Sequence, residues 1–261
     1  MGKGIVGLSF DDGRADNKKV AEYLLSLKIP ASFNITTGYV DGTCPRNMVP
    51  SEKNAITIED VCWLHEQEIF EVALHGDKHL NSIQDISSGR DKIISWLGTH
   101  STAKFGFASP GTGLDLSLLD SEKDFFLEKI SYIRLALRIK SKYWMRTLAR
   151  KASRLLHQPI LYKIAYADTL MDQNEQRKLI YSVPVLEDIT FQEVKALIDL
   201  CAKKKKILVL MFHSIETLHE RIDTWSWSEE KFRKLCSYLL ELQKKEKISI
   251  LNVRGIYDYT K

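Results

Sequence analysis

Short apolar runs, each closed by a polar or Gly/Pro-rich turn and followed by a segment with helical periodicity, recur from one end of this chain to the other. Ile5–Leu8, Ala31–Thr36, Phe70–Leu74, Phe105–Ala108, Ile130–Leu137, Ile160–Tyr166, Leu179–Val183, Ile207–Phe212 and Ser249–Val253 read as strands. Between them, helical patterns span about Asp16 to Leu27, Thr57 to Gln67, Ile83 to Leu97, Leu114 to Ser121, Thr190 to Lys204 and Ser228 to Lys245. Asp16, Thr57 and Thr190 stand where N-caps belong, and Glu193 completes a capping box with Thr190. A β-then-α rhythm sustained over seven or eight units predicts a parallel sheet closed into a (β/α) barrel, one domain over residues 1–261. The chain's 261 residues and 44% hydrophobic content suit such a barrel.

Polar landmarks cluster where the strands end. The first strand closes on Ser9-Phe10-Asp11-Asp12-Gly13, the third on His75-Gly76-Asp77-Lys78-His79, the fourth on Ser109-Pro110-Gly111, and the strand before last on His213. Strand ends at one face of a barrel converge on a single site, so residues remote in sequence become neighbours. Two adjacent carboxylates repel when buried and call for a positive partner: a metal, an Arg or a Lys. Two histidines four apart with a carboxylate form a recurrent ligand set for a catalytic zinc or similar divalent ion. Three protein ligands leave a position for water, whose pKa the ion lowers. A second carboxylate then serves as base and a further His as acid, which is the chemistry of amide or ester hydrolysis.

These motifs resemble the polysaccharide deacetylase family (carbohydrate esterase family 4, the NodB-homology domain). Ser9-Phe10-Asp11-Asp12-Gly13 is similar to its first motif, His75 to His79 to its second, and Leu208 to His213 to its last. The resemblance implies a distorted (β/α) barrel of about seven strands. It implies Asp12, His75 and His79 as ligands of a divalent metal, zinc foremost with cobalt or nickel as alternatives, Asp11 as base and His213 as acid. An oxyanion would be held by the metal and a backbone N–H near Gly111. Pro110 and Gly111 would line the substrate site, and Trp225 and Trp227 offer an aromatic wall for a sugar ring. The family's third motif carries an Arg that braces the catalytic Asp; here that position holds Ala108, and the Asp-Trp segment that partners the Arg is not visible between Leu135 and Asp168. Arg14, Lys78 and Arg134 are the candidates to replace it.

The expected activity is removal of N-acetyl groups from an amino-sugar glycan or a lipid- or nucleotide-linked saccharide precursor. The alternatives are a deformylase or amidase on another amide, and a carbohydrate-binding relic that has lost turnover. A net charge of +4 does not mark a nucleic-acid binder. Residues 134–154 carry eight Lys or Arg and no acid, interleaved with Tyr143, Trp144, Leu148 and Leu155, which predicts a basic amphipathic helix suited to an anionic membrane surface. The chain enters a strand without a basic-then-apolar leader, and its four widely spaced cysteines form no Cys-x-x-Cys pair. Both features lead to the expectation of a cytoplasmic protein with reduced thiols, acting on a precursor, peripheral at most to the inner membrane face.

Overall fold

A computed structural model describes residues 2–44, 55–137, 144–174, 178–216 and 224–260, with side chains at all of these but 144–147 and 149. Strand β1 (Gly4–Phe10) runs into α1 (Asn17–Ser26). Strand β2 (Ala31–Ile35) runs into the one-turn α2 (Thr37–Val40) and then α3 (Ile58–Glu66). Next come β3 (Phe70–Leu74), α4 (Ile83–Leu97), β4 (Phe105–Ala108), α5 (Leu118–Ser121) and α6 (Lys123–Lys129). Then β5 (Ile130–Ala136) leads to a pair of helices, α7 (Trp144–Leu156) and α8 (Pro159–Tyr166), before β6 (Leu179–Pro184) and α9 (Phe191–Lys204). The chain ends with β7 (Ile207–Phe212), a small pair β8 (Ser214–Glu216) and β9 (Ser226–Ser228), then α10 (Glu229–Lys244), β10 (Ile248–Leu251) and α11 (Val253–Tyr259).

The first seven strands follow one another around the sheet, and β7 pairs with β1, closing a parallel seven-stranded barrel. The distortion lies at β1. Its Gly4–Gly7 half pairs with β10 and its Ser9–Phe10 end with β2, so β10 occupies the base of the β1–β2 seam.

Period-two alternation divides the core. Val6, Leu8 and Phe10 of β1, and Leu208, Leu210 and Phe212 of β7, pack outward in one cluster with helix residues such as Leu24, Leu197 and Phe232. Phe10 stacks between Phe33 and Phe212, with ring centroids 5.2 and 5.4 Å away. The opposite faces, with Ile5, Ile207, Val209, Tyr132 and Ile180, form a second cluster inside the barrel. Extended upward, the inward parity of each strand reaches Ser9 and Asp11, Asn34, His75, Ala108, Arg134, Ser182 and His213. The polar residues of the strand ends are therefore the top layer of the barrel interior.

Four local expectations are corrected. Ile160–Tyr166 is helix α8, not a strand. Pro159 stands at its first turn, where a missing N–H costs nothing, and Tyr162, Ala165 and Tyr166 are buried at helical spacing. Asp16 does not cap α1; its carboxylate accepts from the Ile215 amide at 2.8 Å. The Leu114–Ser121 helix is confined to α5, and α6 follows it. The last strand stops at Leu251, because Asn252 caps α11 by accepting from Gly255 at 2.7 Å. Residues 45–54 lie outside the described residues, as do 138–143 of the basic segment. Among the described residues, no helix is long and apolar enough to cross a membrane.

Candidate metal centre

At the top of β1, Asp11 continues the strand, donating its amide to Phe212 O at 2.9 Å. Its buried side chain takes the inward parity of Ser9. Asp12 would point the other way in a continued strand. Instead Asp12 and Gly13 both sit in the left-handed region, at φ 76° and 70°, which ends the pleat and turns Asp12 back toward the barrel mouth. A non-glycine residue there costs on the order of 1–2 kcal/mol, which the surrounding contacts must offset.

At the top of β3, His75 also faces inward and is buried. Its Nδ1 lies 2.8 Å from Ala108 O. A carbonyl only accepts, so Nδ1 carries the proton and Nε2 presents its lone pair. The next four residues are tied down by Asp85 in the first turn of α4, which accepts from the amides of Asp77, Lys78 and Leu80 at 3.0, 2.8 and 3.0 Å. Gly76, at φ 80°, lies so close to this carboxylate that a Cβ would come within 2.3 Å of Asp85 Oδ2. Asp77 is fixed in turn by Thr37, Ser88 and Lys92. The loop delivers His79 at φ 60°, so two of the three prospective ligands occupy a backbone region that non-glycine residues rarely adopt.

The three side chains meet. Asp12 Oδ1 is 3.4 Å from His75 Nε2 and 3.4 Å from His79 Nε2, and one ligand atom from each residue lies within 4.8 Å of the others. Donors bound tetrahedrally at ~2.0–2.1 Å from a zinc ion stand ~3.3 Å apart, so the set fits such an ion. Asp12 and His75 are buried and His79 is half-exposed, which leaves the open side toward solvent. Among the described residues, this is the one group of three His, Cys, Asp or Glu side chains so arranged.

Each aspartate has its own guanidinium. Arg134, buried inside the barrel on β5, places Nη2 2.7 and 2.6 Å from the two oxygens of Asp11, and donates Nη1–H to Ser182 at 2.9 Å. Arg14 donates to Asp12 Oδ2 at 3.2 Å. Of the three candidates to brace the base, the structure thus puts Arg134 on Asp11. It also explains how: Arg134 is the register partner of Ala108 on the neighbouring strand, so the positive charge sits one strand over from the position that lacks it. Asn34 adds a hydrogen bond to Asp11 at 2.8 Å.

Burial by itself would raise the Asp11 pKa, but Arg134, with help from His75 and His213, holds it below the usual carboxylate value. For Asp12 the same burial cost is outweighed by the imidazoles of His75 and His79 beside its carboxylate, and its pKa falls well below. His213, at the end of β7, goes the other way. Burial depresses its pKa to about 4 against the pull of Asp12 and Asp11, so the imidazole is neutral at pH 7. Its Nδ1 is buried without a hydrogen-bond partner, and its backbone carbonyl is anchored by Asn17 Nδ2 at 2.9 Å.

Of the residues expected to contact substrate, Trp225 lies at the site, its ring 5.0 Å from that of His213 and its surface partly open. Trp227 does not. It is fully buried within β9 with its indole N–H donated to Ile189 O at 2.7 Å, its ring packed 5.8 Å from that of Phe212. Pro110 is buried beside β4 with its carbonyl held by Asn81 Nδ2 at 2.9 Å, and Gly111, at φ 55°, is exposed with open space around it. Asn34, Asp85 and Ser182 escaped sequence reasoning. Asn34 had a visible signal, a polar residue within an apolar strand; Ser82-x-x-Asp85 had another, the spacing of an N-cap and its third helical residue.

No family model matches the sequence, and no curated protein matches it. Solved structures do. A family 4 acetyl xylan esterase from Clostridium thermocellum, solved with a cobalt ion, aligns over 97% of this chain and 90% of its own at 11% identity, with a TM-score of 0.51. A T48 deacetylase solved with substrate aligns over 99% and 93% at 12% identity, TM-score 0.48. A polysaccharide deacetylase from Bacillus cereus aligns over 50% of this chain and 39% of its own, at 16% identity and a TM-score of 0.39, so the match spans less than half of that protein's length. The chain therefore has a barrel fold shared with carbohydrate esterases of family 4, carrying a group of residues able to bind a divalent metal.

Proposed function

We propose that this chain is a divergent polysaccharide deacetylase, a metal-dependent hydrolase that removes N-acetyl groups from an amino-sugar glycan or its precursor. The observation that carries this reading is the convergence of Asp12, His75 and His79 at 3.4 Å spacing beside an aspartate kept ionised by Arg134. A divalent ion held by those three residues, zinc being the best fit to their spacing, supplies Lewis-acid polarisation and a water of lowered pKa. Asp11 is the base. Its carboxylate stays charged at neutral pH, and Arg134 and Asn34 hold it in place to take a proton at one oxygen. His213 is the acid on the opposite side of the mouth. It is neutral at rest, takes a proton from solvent as negative charge develops next to it, and passes that proton to the departing amine. Trp225 packs against the substrate's sugar face, and Pro110 and Gly111 border the acyl group.

The test is a screen of acetate and formate release from N-acylated saccharides with zinc, cobalt and nickel each supplied. Acetate release that disappears in Asp11→Asn, with metal still bound, is the expected result. Formate release alone would make it a deformylase. Metal binding with no acyl release from any substrate would leave a binding relic and overturn the proposal.

A further inference from the structure

The described residues expose ten large apolar side chains, and five of them, Leu148, Leu155, Leu156, Ile160 and Ile164, fall within seventeen residues of the α7–α8 pair. Leu155 is 81% exposed, the highest of the ten. These side chains do not reflect a helix without a buried side, since Ser153, Tyr162, Ala165 and Tyr166 of the same helices are buried against the molecule. Leu148 and Leu155 are seven residues apart on α7, and Ile160 and Ile164 four apart on α8, so each pair shares one helix face. The two helices pack on each other, and α8 packs on α9.

The charge around this face has one sign. From Lys129 to Ala167 the sequence has ten Lys or Arg and no Asp or Glu. Among the described ones, four are committed elsewhere: Lys129 to Glu128, Arg134 to Asp11, Arg150 to Asp168 and Arg154 to Asp188. Lys151, between Leu148 and Leu155, and Lys163, beside Ile164, make no ion pair with another described residue. Asp168 and Asp188 are already paired with arginines of α7, and Glu193 of α9 is fully buried. A second copy of this chain is a poor occupant, because a two-fold contact would set the basic face against itself. An anionic lipid surface matches both halves of the face, taking the leucines and isoleucines among its acyl chains and the lysines at its headgroups.

We infer that the α7–α8 pair docks this protein on anionic membranes, with Leu155, Leu156, Ile160 and Ile164 entering the interface and Lys151 and Lys163 at headgroup level. The surface is separate from the metal centre, so the inference does not depend on the deacetylase reading.

The experiment is co-sedimentation of the full chain with vesicles of equal parts phosphatidylglycerol and phosphatidylcholine, and with phosphatidylcholine alone. Binding to the anionic vesicles, weakened at least tenfold by 0.5 M salt or by omitting phosphatidylglycerol, is expected. A Leu155→Ser/Ile160→Ser/Ile164→Ser variant should lose at least tenfold in partitioning with its thermal midpoint unchanged, since these side chains already face water. Lys151→Glu/Lys163→Glu should lose a similar factor through charge. Absence of binding to anionic vesicles would overturn the inference, as would binding indifferent to both variants. So would a dimer in solution that the triple variant dissociates, for then a second copy covers the face.

Discussion

Asp11 and Asp12 are neighbours in sequence, both buried, and would repel each other without the counter-charges that reach them from other strands. Arg134 is the more exacting of these, since it spans the barrel interior to reach Asp11. Arg134→Met should leave Asp11 as an unpaired buried carboxylate, destabilising the fold by about 3–5 kcal/mol in urea denaturation. Asp11 now titrates below its ordinary value, so the stability it contributes is complete above about pH 4 and is lost as pH falls further. In Arg134→Met, burial pushes that pKa upward, and both the acid limb of stability and that of acyl release should move to higher pH. His213 has a separate signature. Its folded pKa of about 4 lies below the 6.5 of an exposed imidazole, so its contribution is complete above pH 6.5 and is lost as pH falls toward 4. Metal-free protein should lose up to about 3 kcal/mol across that window, and His213→Gln should remove this part of the slope in melts at stepped pH.

At the scale of elements, the loop from His75 to His79 has little regular structure and is held by the first turn of α4. Asp85 accepts the amides of Asp77 and Lys78 and that of Leu80 just beyond, and Gly76 leaves room for that carboxylate. Asp85→Ala should free the three N–H groups and loosen His79, lowering metal affinity about 10–100-fold while leaving the barrel folded. Isothermal titration with zinc, paired with circular dichroism, reads both quantities. Gly76→Ala should act in the same direction and also destabilise the fold, through the clash with Asp85 and the left-handed backbone.

Over the whole molecule, β1 has three sheet neighbours, and Phe10 sits where the outer core is densest. Phe10→Ala should cost about 3–5 kcal/mol in denaturant unfolding, more than truncation of a rim residue such as Leu116. Much of this architecture was legible in the chain itself. The apolar runs located β1 to β7; strand parity extended past their ends located Asp11, His75 and His213, while Asp12 and His79 stood out as polar residues of the turns that follow. What was not legible depended on contacts between strands. That Arg134 rather than Arg14 or Lys78 braces Asp11 follows from the pairing of β4 with β5, a register that no local pattern encodes. The apolar run from Ile160 to Tyr166 was compatible with strand or helix by composition, and only burial on α9 decided it. Trp225 and Trp227 look alike in sequence, but Trp225 precedes β9 and stays exposed beside His213, whereas Trp227 lies within the strand and packs into the core.

Zinc titration of wild type, His75→Ala, His79→Ala and Asp11→Asn asks whether residues from β1 and the β3–α4 loop form one metal centre. One equivalent should bind to wild type and to Asp11→Asn, and binding should weaken at least a hundredfold in each His variant. Equal zinc affinity in all four proteins, or none in wild type, would contradict such a centre.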